Sequence, residues 1–209
     1  MKKAIALILA LCMVLSLAAC GGSSNNAPAA KLDRGVISGD TYTNKYFGFS
    51  LKLPSGWSFY DDENTAAMSG LKADDLKADD LSALVDKNQH VMVCYANNNS
   101  GNSINILLNG NMKSTNKYSV EELFNMSLEG TKKQLAESGM DIVSSEILKT
   151  KIMGEDQTVL RMDISYMGHT INEFQFWLRD GSDYAAVVTV AGIGLTDPSE
   201  LFAAFSKTK

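Results

Sequence analysis

Four apolar segments follow one another in the second half of the chain, and short connections with glycine separate them. They occupy residues 142–152, 158–166, 170–179 and 184–191, with Gly154, Gly168 and Gly181 in the connections. Turns of this length join only antiparallel neighbours. This part of the chain therefore predicts a four-stranded antiparallel meander, which constrains the fold more than any other feature.

Further strands are indicated before the meander. Apolar residues occupy alternate positions at Phe47, Phe49, Leu51 and Leu53, as in a strand with one buried face, and residues 35–43 can supply its hairpin partner. Residues 90–96 are apolar at nearly every position, which predicts a strand covered on both faces. A turn follows, and residues 104–108 alternate in a returning strand.

Three helices are predicted between and after these strands. One covers residues 71–86, with the repeated sequence Leu-Lys-Ala-Asp-Asp. The clearest begins at the capping box of Ser119 and Glu122 and ends at Gly139. A last helix starts around Pro198 and would dock through Leu201, Phe202 and Phe205. The predicted fold class is α+β, a central antiparallel sheet covered by helices.

Residues 42–57 read Tyr-Thr-Asn-Lys-Tyr-Phe-Gly-Phe-Ser-Leu-Lys-Leu-Pro-Ser-Gly-Trp. This segment resembles the opening of PsbP-like domains and of a group of Gram-positive lipoproteins that begin the same way. The resemblance extends to the order of elements over most of residues 40–207. It implies an α/β/α sandwich and a non-enzymatic binding or assembly module, and it carries over no individual functional residue.

The amino-terminal segment has the pattern of an export signal. Lys2 and Lys3 precede an apolar run of sixteen residues, 4–19, interrupted only by Ser16. As a helix this run would measure roughly 24 Å, which is short of the roughly 30 Å needed to span a bilayer. Its end, Leu-Ala-Ala-Cys at residues 17–20, resembles the lipobox of bacterial lipoproteins.

We therefore expect cleavage between Ala19 and Cys20, lipid attachment at Cys20 and anchoring to the outer side of the cell membrane. Two or three acyl chains, such as palmitate, would be needed for stable attachment. The alternative is a secreted protein that is cut elsewhere and keeps Cys20 as a free thiol.

Composition predicts how the mature chain is divided. Residues 20–39 resemble a flexible tether, and residues 40–209 are enough for one domain. Without Lys2 and Lys3 the chain has 17 basic and 24 acidic side chains, a net charge of −7. This acidic balance argues against nucleic acid as a partner and leaves the lipid on Cys20 to hold the protein at the membrane.

The sequence contains no convincing catalytic or metal-binding motif, and we predict no catalytic residue, metal site or cofactor. His90 and His169 are the only histidines, and neither belongs to a metal-ligand spacing. Carboxylates cluster at Asp61, Asp62 and Glu63 and recur in the 71–86 segment, where a solvated acidic helix is the simpler interpretation. An envelope hydrolase that uses carboxylates or His169 stays open as an alternative, as does divalent-metal binding by the acidic stretch.

Two aromatic residues are the remaining candidates for ligand binding. Trp57 follows a Pro-Ser-Gly turn, and Trp177 points to the face of its predicted strand opposite Phe174, Phe176 and Leu178. In a sheet covered on both faces, however, both faces require apolar residues, so core packing is the favoured interpretation for the two tryptophans. The function predicted first is a membrane-anchored binding or accessory module of the cell envelope, whose partner is an envelope protein or a small ligand.

Overall fold

The computed structural model describes residues 31–179 and 181–208. The predicted signal segment, Cys20 and residues 21–30 of the predicted tether lie outside the described residues. Eleven strands are described: β1 Val36–Ser38, β2 Thr41–Asn44, β3 Phe49–Lys52, β4 Trp57–Phe59, β5 His90–Asn98, β6 Ser103–Asn109, β7 Asp141–Ile152, β8 Glu155–Tyr166, β9 His169–Arg179, β10 Ala185–Ile193 and β11 Phe205–Lys207. The described helices are α1 Asp62–Ala67, α2 Ser82–Asn88, α3 Val120–Glu137 and α4 Ser199–Ala203, with 3₁₀ helices at Ala73–Lys77 and Lys113–Thr115.

The strands form two antiparallel sheets. The large sheet has seven strands in the order β4-β5-β6-β10-β9-β8-β7, and the small sheet has four in the order β1-β2-β3-β11. The predicted meander is confirmed as β7 to β10, which pair consecutively. Its first two turns place Met153 with Gly154, and Met167 with Gly168, at positive φ. Two consecutive residues at positive φ are typical of the type I′ turn, which matches the twist of a hairpin.

The predicted capping box is also confirmed at the start of α3. The Ser119 hydroxyl accepts a hydrogen bond from the Glu122 backbone N–H at 3.2 Å, and the Glu122 carboxylate accepts one from the Ser119 backbone N–H at 2.7 Å. Two N–H groups at the helix end are satisfied in this way. Leu123, Phe124 and Leu135 form the buried side of the helix.

Two apolar clusters lie on opposite faces of the large sheet. The first is enclosed by the small sheet, α1, α2, the first 3₁₀ helix and α4, and it includes Phe49, Phe176, Phe202 and Phe205. The second lies under α3 and includes Leu123, Phe124, Met162 and Trp177. Because side chains alternate along a strand, β9 sends Phe174 and Phe176 into the first cluster and Trp177 into the second.

The predicted fold class was wrong. The fold is mostly β, with two antiparallel sheets, and is not a single central sheet covered by helices. The strands at the start of the domain pair with one another and with β11, so a second sheet covers much of one face. The predicted helix at 71–86 is instead the 3₁₀ helix Ala73–Lys77 and the separate α2, and the last helix, α4, has only five residues.

The packed region also begins earlier than the predicted boundary at residue 40. Leu32 is completely buried, and its carbonyl accepts a hydrogen bond of 2.8 Å from the Leu81 backbone N–H. Strand β1 pairs with β2. Residues 31–39 therefore belong to the domain, although their composition resembles a tether. Their own sequence has little preference for a helix or a strand, and they are held by hydrogen bonds to residues further along the chain.

Among the helices within residues 31–179 and 181–208, none has both the length and the apolar character required to span a bilayer.

Candidate ligand-binding cleft

A cleft of about 500 Å³ opens where the ends of several elements meet. Strands β8 and β9 contribute the residues at their shared end, the β2–β3 turn contributes an aromatic wall, and α3 and β11 contribute one residue each. The lining residues are Tyr46, Phe47, Gly48, Val120, Met153, Glu155, Gln157, Trp177, Leu178, Arg179 and Lys207. A volume of this size suits a small ligand or a short peptide segment.

Arg179 is the central polar group of the cleft. It follows the buried run from Ile171 to Leu178 in β9. Its Nη1 donates to the Tyr118 carbonyl at 3.1 Å, and its Nη2 donates to Asn116 Oδ1 at 2.6 Å. Its Nε is buried and has no hydrogen-bond partner within residues 31–179 and 181–208. The two bonds to Tyr118 and Asn116 fix the guanidinium at the cleft.

The charge of Arg179 has no opposite charge paired with it among the residues that the structure describes, whereas the cleft's other cation, Lys207, pairs with Glu155. Burial lowers the pKa of Arg179, but a guanidinium stays protonated at any physiological pH. A fixed, partly desolvated guanidinium is well suited to bind a carboxylate.

The aromatic wall lies beside this cation. The rings of Tyr46 and Phe47 meet edge to face at 4.8 Å, and Tyr46 contacts the ring of Tyr184 at 6.3 Å. The Tyr46 hydroxyl donates a hydrogen bond to Ser182 Oγ at 3.0 Å. A ligand that carries both an apolar ring and a carboxylate would match the wall and Arg179 together.

Trp57 and Trp177 were the predicted ligand-binding residues, and the structure does not bring them together. Trp177 lines the cleft but is only 3% exposed, and it packs edge to face against Phe124 at 5.7 Å. Trp57 lies in the edge strand β4, partly buried against the first cluster. Sequence reasoning missed Arg179 and Tyr46. The sequence feature that could have indicated Arg179 is a single cation directly after the apolar residues of a strand.

The histidines do not form a site with the cleft. His169 is exposed at the start of β9, where it is in register with Tyr166, and no hydrogen bond or ion pair is formed by its side chain within residues 31–179 and 181–208. His90 begins β5 and is half-buried, and this burial lowers its pKa. The hydrolase alternative that uses His169 therefore gains no observation in its favour.

The acidic stretch has local structural roles. Asp61 caps α1, Asp62 binds Arg34, Asp74 pairs with Lys77, and Asp80 accepts from Ser82. Over residues 31–179 and 181–208, no three or more His, Cys, Asp or Glu side chains are placed so that they could hold a metal ion. These carboxylates point to different partners and do not converge.

Comparisons with known proteins give little beyond the fold. No family model matches the chain, and no curated protein matches its sequence. Among solved structures, the chain is similar to the solution structure of cyanobacterial PsbP (CyanoP) from Synechocystis sp. PCC 6803. The identity is 10%, the match covers 91% of this chain and 98% of that chain, and the TM-score is 0.47.

Proposed function

We propose that the protein is a lipid-anchored binding module of the cell envelope, and that its cleft binds a carboxylate group of a small ligand or a partner. The observation that carries the proposal is Arg179, a cation that lines the cleft, is held by Tyr118 and Asn116, and forms no ion pair with a carboxylate within residues 31–179 and 181–208. The function is recognition without catalysis, since the cleft offers a cation and an aromatic wall beside a carboxylate already paired with Lys207.

The anchoring part of the proposal is supported by the sequence alone. The basic start, the apolar run and Leu-Ala-Ala-Cys at residues 17–20 provide a signal and an acylation site. The mature chain would carry a net charge of −7, so it would be repelled by anionic lipid, and the acyl groups on Cys20 would supply the attachment.

Anchoring is tested by expressing the full chain in a bacterial host with radiolabelled palmitate. We expect the wild-type protein to take up label and to sediment with membranes, and Cys20→Ala to do neither. Cys94→Ala is the matched control, because this cysteine is buried in the domain, and it should be labelled like the wild type. Label on Cys20→Ala, or its absence from the wild type, would refute the anchoring.

Ligand binding can be followed through the fluorescence of Trp177. The chain has two tryptophans, so Trp57→Phe leaves Trp177 as the only reporter. The probe is 4-nitrobenzoate, which combines a ring, a quenching nitro group and a carboxylate. We expect saturable quenching by 4-nitrobenzoate and much weaker quenching by 4-nitrobenzamide, which lacks the negative charge.

Substitutions then locate the binding site. In the Trp57→Phe background, Arg179→Met should weaken 4-nitrobenzoate binding by about tenfold or more, since a hydrogen bond to a charged group contributes about 1.5–3 kcal/mol. Arg161→Met is the matched control, because Arg161 binds Glu146 and Asp163 away from the cleft. Equal affinity of the two variants would show that the cleft is not the binding site.

A further inference from the structure

The segment that precedes β1 is bonded to the aromatic wall of the cleft. The Asp33 carboxylate accepts two hydrogen bonds, one of 2.7 Å from the Gly35 backbone N–H and one of 3.2 Å from the Tyr46 backbone N–H. The first bond closes a local turn in the chain before β1. The second bond joins that turn to the β2–β3 turn, thirteen positions further along.

Asn44 makes a second connection between the same two segments. It is completely buried at the end of β2. Its Nδ2 donates to the Asp33 carbonyl at 3.2 Å, and its Oδ1 accepts from the Phe47 backbone N–H at 2.9 Å. The backbone of Tyr46 is therefore held by Asp33 directly, and the backbone of Phe47 is held through Asn44.

Strand pairing does not hold the turn that carries this wall. The last pair between β2 and β3 joins Asn44 to Phe49, so residues 45–48 lie outside the ladder. Tyr46 and Phe47 line the cleft from this turn. The place of their rings in the cleft therefore depends on bonds to other segments, and Asp33 supplies those from the amino-terminal side.

We propose that Asp33 is a positioning residue for the cleft, so that docking of residues 31–35 and binding of a carboxylate ligand favour each other. This inference rests on the proposed function and adds a form of regulation to it. Asp33 lies in the part of the chain that leads from the predicted anchor at Cys20 to β1. A force or a partner that pulls this segment from the domain would release the wall and lower the affinity for the ligand.

The test uses the full mature chain in detergent with the Trp57→Phe substitution, and 4-nitrobenzoate quenches the fluorescence of Trp177. Asp33→Ala should weaken binding by about fivefold or more, because apparent affinity falls with the fraction of molecules in the binding-competent arrangement. Loss of a negative charge would by itself strengthen the binding of an anion, so weaker binding reports the position of the wall. Asp40→Ala is the matched control and should bind like the wild type, because Asp40 accepts from the Thr41 hydroxyl and does not line the cleft.

A second variant covers the case in which Asp33→Ala does not fold. We expect the alanine variant to fold, since the β2–β3 turn keeps its bonds to Ser182 and Thr208. Asp33→Asn retains only one of the two accepting oxygens, so it can keep the turn with Gly35 or the bond to Tyr46, but not both. It should also bind 4-nitrobenzoate more weakly than the wild type does.

Hydrogen exchange at the Gly35 amide measures the coupling from the opposite side. Gly35 is not one of the described residues that line the cleft, so a bound ligand does not shield its amide directly. Because coupling is reciprocal, saturating 4-nitrobenzoate should slow this exchange by about fivefold or more in the wild type and leave it unchanged in Arg179→Met. A purely structural role of Asp33 would change the melting temperature of its variants without this effect of the ligand.

The outcomes separate this inference from the proposed function. Saturable quenching that is lost in Arg179→Met but equally strong in folded Asp33→Ala and Asp33→Asn would overturn the coupling and leave the cleft as a binding site. Exchange at Gly35 that does not respond to bound 4-nitrobenzoate would overturn it as well. The absence of saturable quenching in the wild type would refute the proposed function, and the coupling with it.

Discussion

Arg34 donates a hydrogen bond of 2.5 Å to the carboxylate of Asp62, which joins the segment before β1 to the first turn of α1. The Arg34 side chain is largely buried and that of Asp62 is partly exposed. The bond to Arg34 lowers the pKa of Asp62, and the bond to Asp62 raises the pKa of Arg34. The pair holds residues of tether-like composition against the domain.

This pair should contribute to stability at neutral pH and lose its contribution in acid. Because the folded-state pKa of Asp62 lies below its unfolded value, the contribution is complete above about pH 4 and falls as the pH drops through the folded value. We expect Arg34→Met to lower the free energy of unfolding by up to about 1 kcal/mol at pH 7 and by less at pH 3. Urea unfolding at both pH values measures this.

The exposed pair Asp74–Lys77 provides the control for that experiment. Lys77→Met should change the free energy of unfolding too little to detect at either pH, since ion pairs at the surface contribute little. A loss in Arg34→Met that is equally large at pH 3 would mean that packing of the arginine, and not its bond to Asp62, stabilises the segment.

Gly35 should tolerate alanine less well than Gly39, although both have positive φ. At Gly35, with φ +82°, an added Cβ would lie 2.5 Å from ring atoms of Tyr42, whereas at Gly39, with φ +61°, it would meet nothing within 4 Å. Gly39→Ala should cost about 1–2 kcal/mol for the left-handed backbone alone, and Gly35→Ala about 1–3 kcal/mol more. Thermal unfolding of both variants compares them, and equal losses would contradict the contact.

Phe205 should be among the most sensitive positions of the domain. Its ring packs against Phe49 at 6.3 Å and Phe176 at 5.4 Å, so it connects the small sheet to the large one. We expect Phe205→Ala to cost about 3–5 kcal/mol in chemical denaturation. Met167→Ala, at an apolar residue that is 78% exposed, should change stability by no more than about 0.5 kcal/mol. Similar losses in both would show that β11 does not hold the sheets together.

Cys94 should be inert toward thiol reagents until the domain unfolds. It is completely buried, and burial raises the pKa of its thiol, so almost no thiolate exists at pH 8. Ellman's reagent should detect no thiol in the native mature protein and one thiol per chain in guanidinium. A second thiol after unfolding would show that Cys20 is not acylated, and reaction in the native state would contradict the buried position.

Local patterns predicted local structure well. The meander and the capping box of α3 are correct because turn glycines and a Ser/Glu pair act on residues close in sequence. The second sheet was missed because β3 pairs with β11, and nothing near Phe49 indicates a partner at Lys207. The spacing of Leu201, Phe202 and Phe205 resembles a helix, but Phe205 leaves the helix to join that sheet.

The residues of the candidate cleft were harder to predict from the sequence than the local structure was. Trp177 was predicted to point to the face of its strand away from Phe174 and Phe176, and it does. That face is covered by α3, however, so the tryptophan is almost completely buried. Arg179 and Tyr46 meet only because the β2–β3 turn lies against the end of β9.

The pairing of β3 with β11 also affects how the protein is made. Ser50 and Ser206 are 156 positions apart and face each other across the small sheet. At about 5–20 residues per second, roughly 8 to 30 s separate the synthesis of the two strands. During that time Phe49 and Leu51 lie on a strand without its outer neighbour, exposed to other nascent chains. Until residue 207 has been made, that unpaired edge of β3 is a surface on which another chain can pair, so the small sheet is the part of the domain most exposed to misassembly during synthesis.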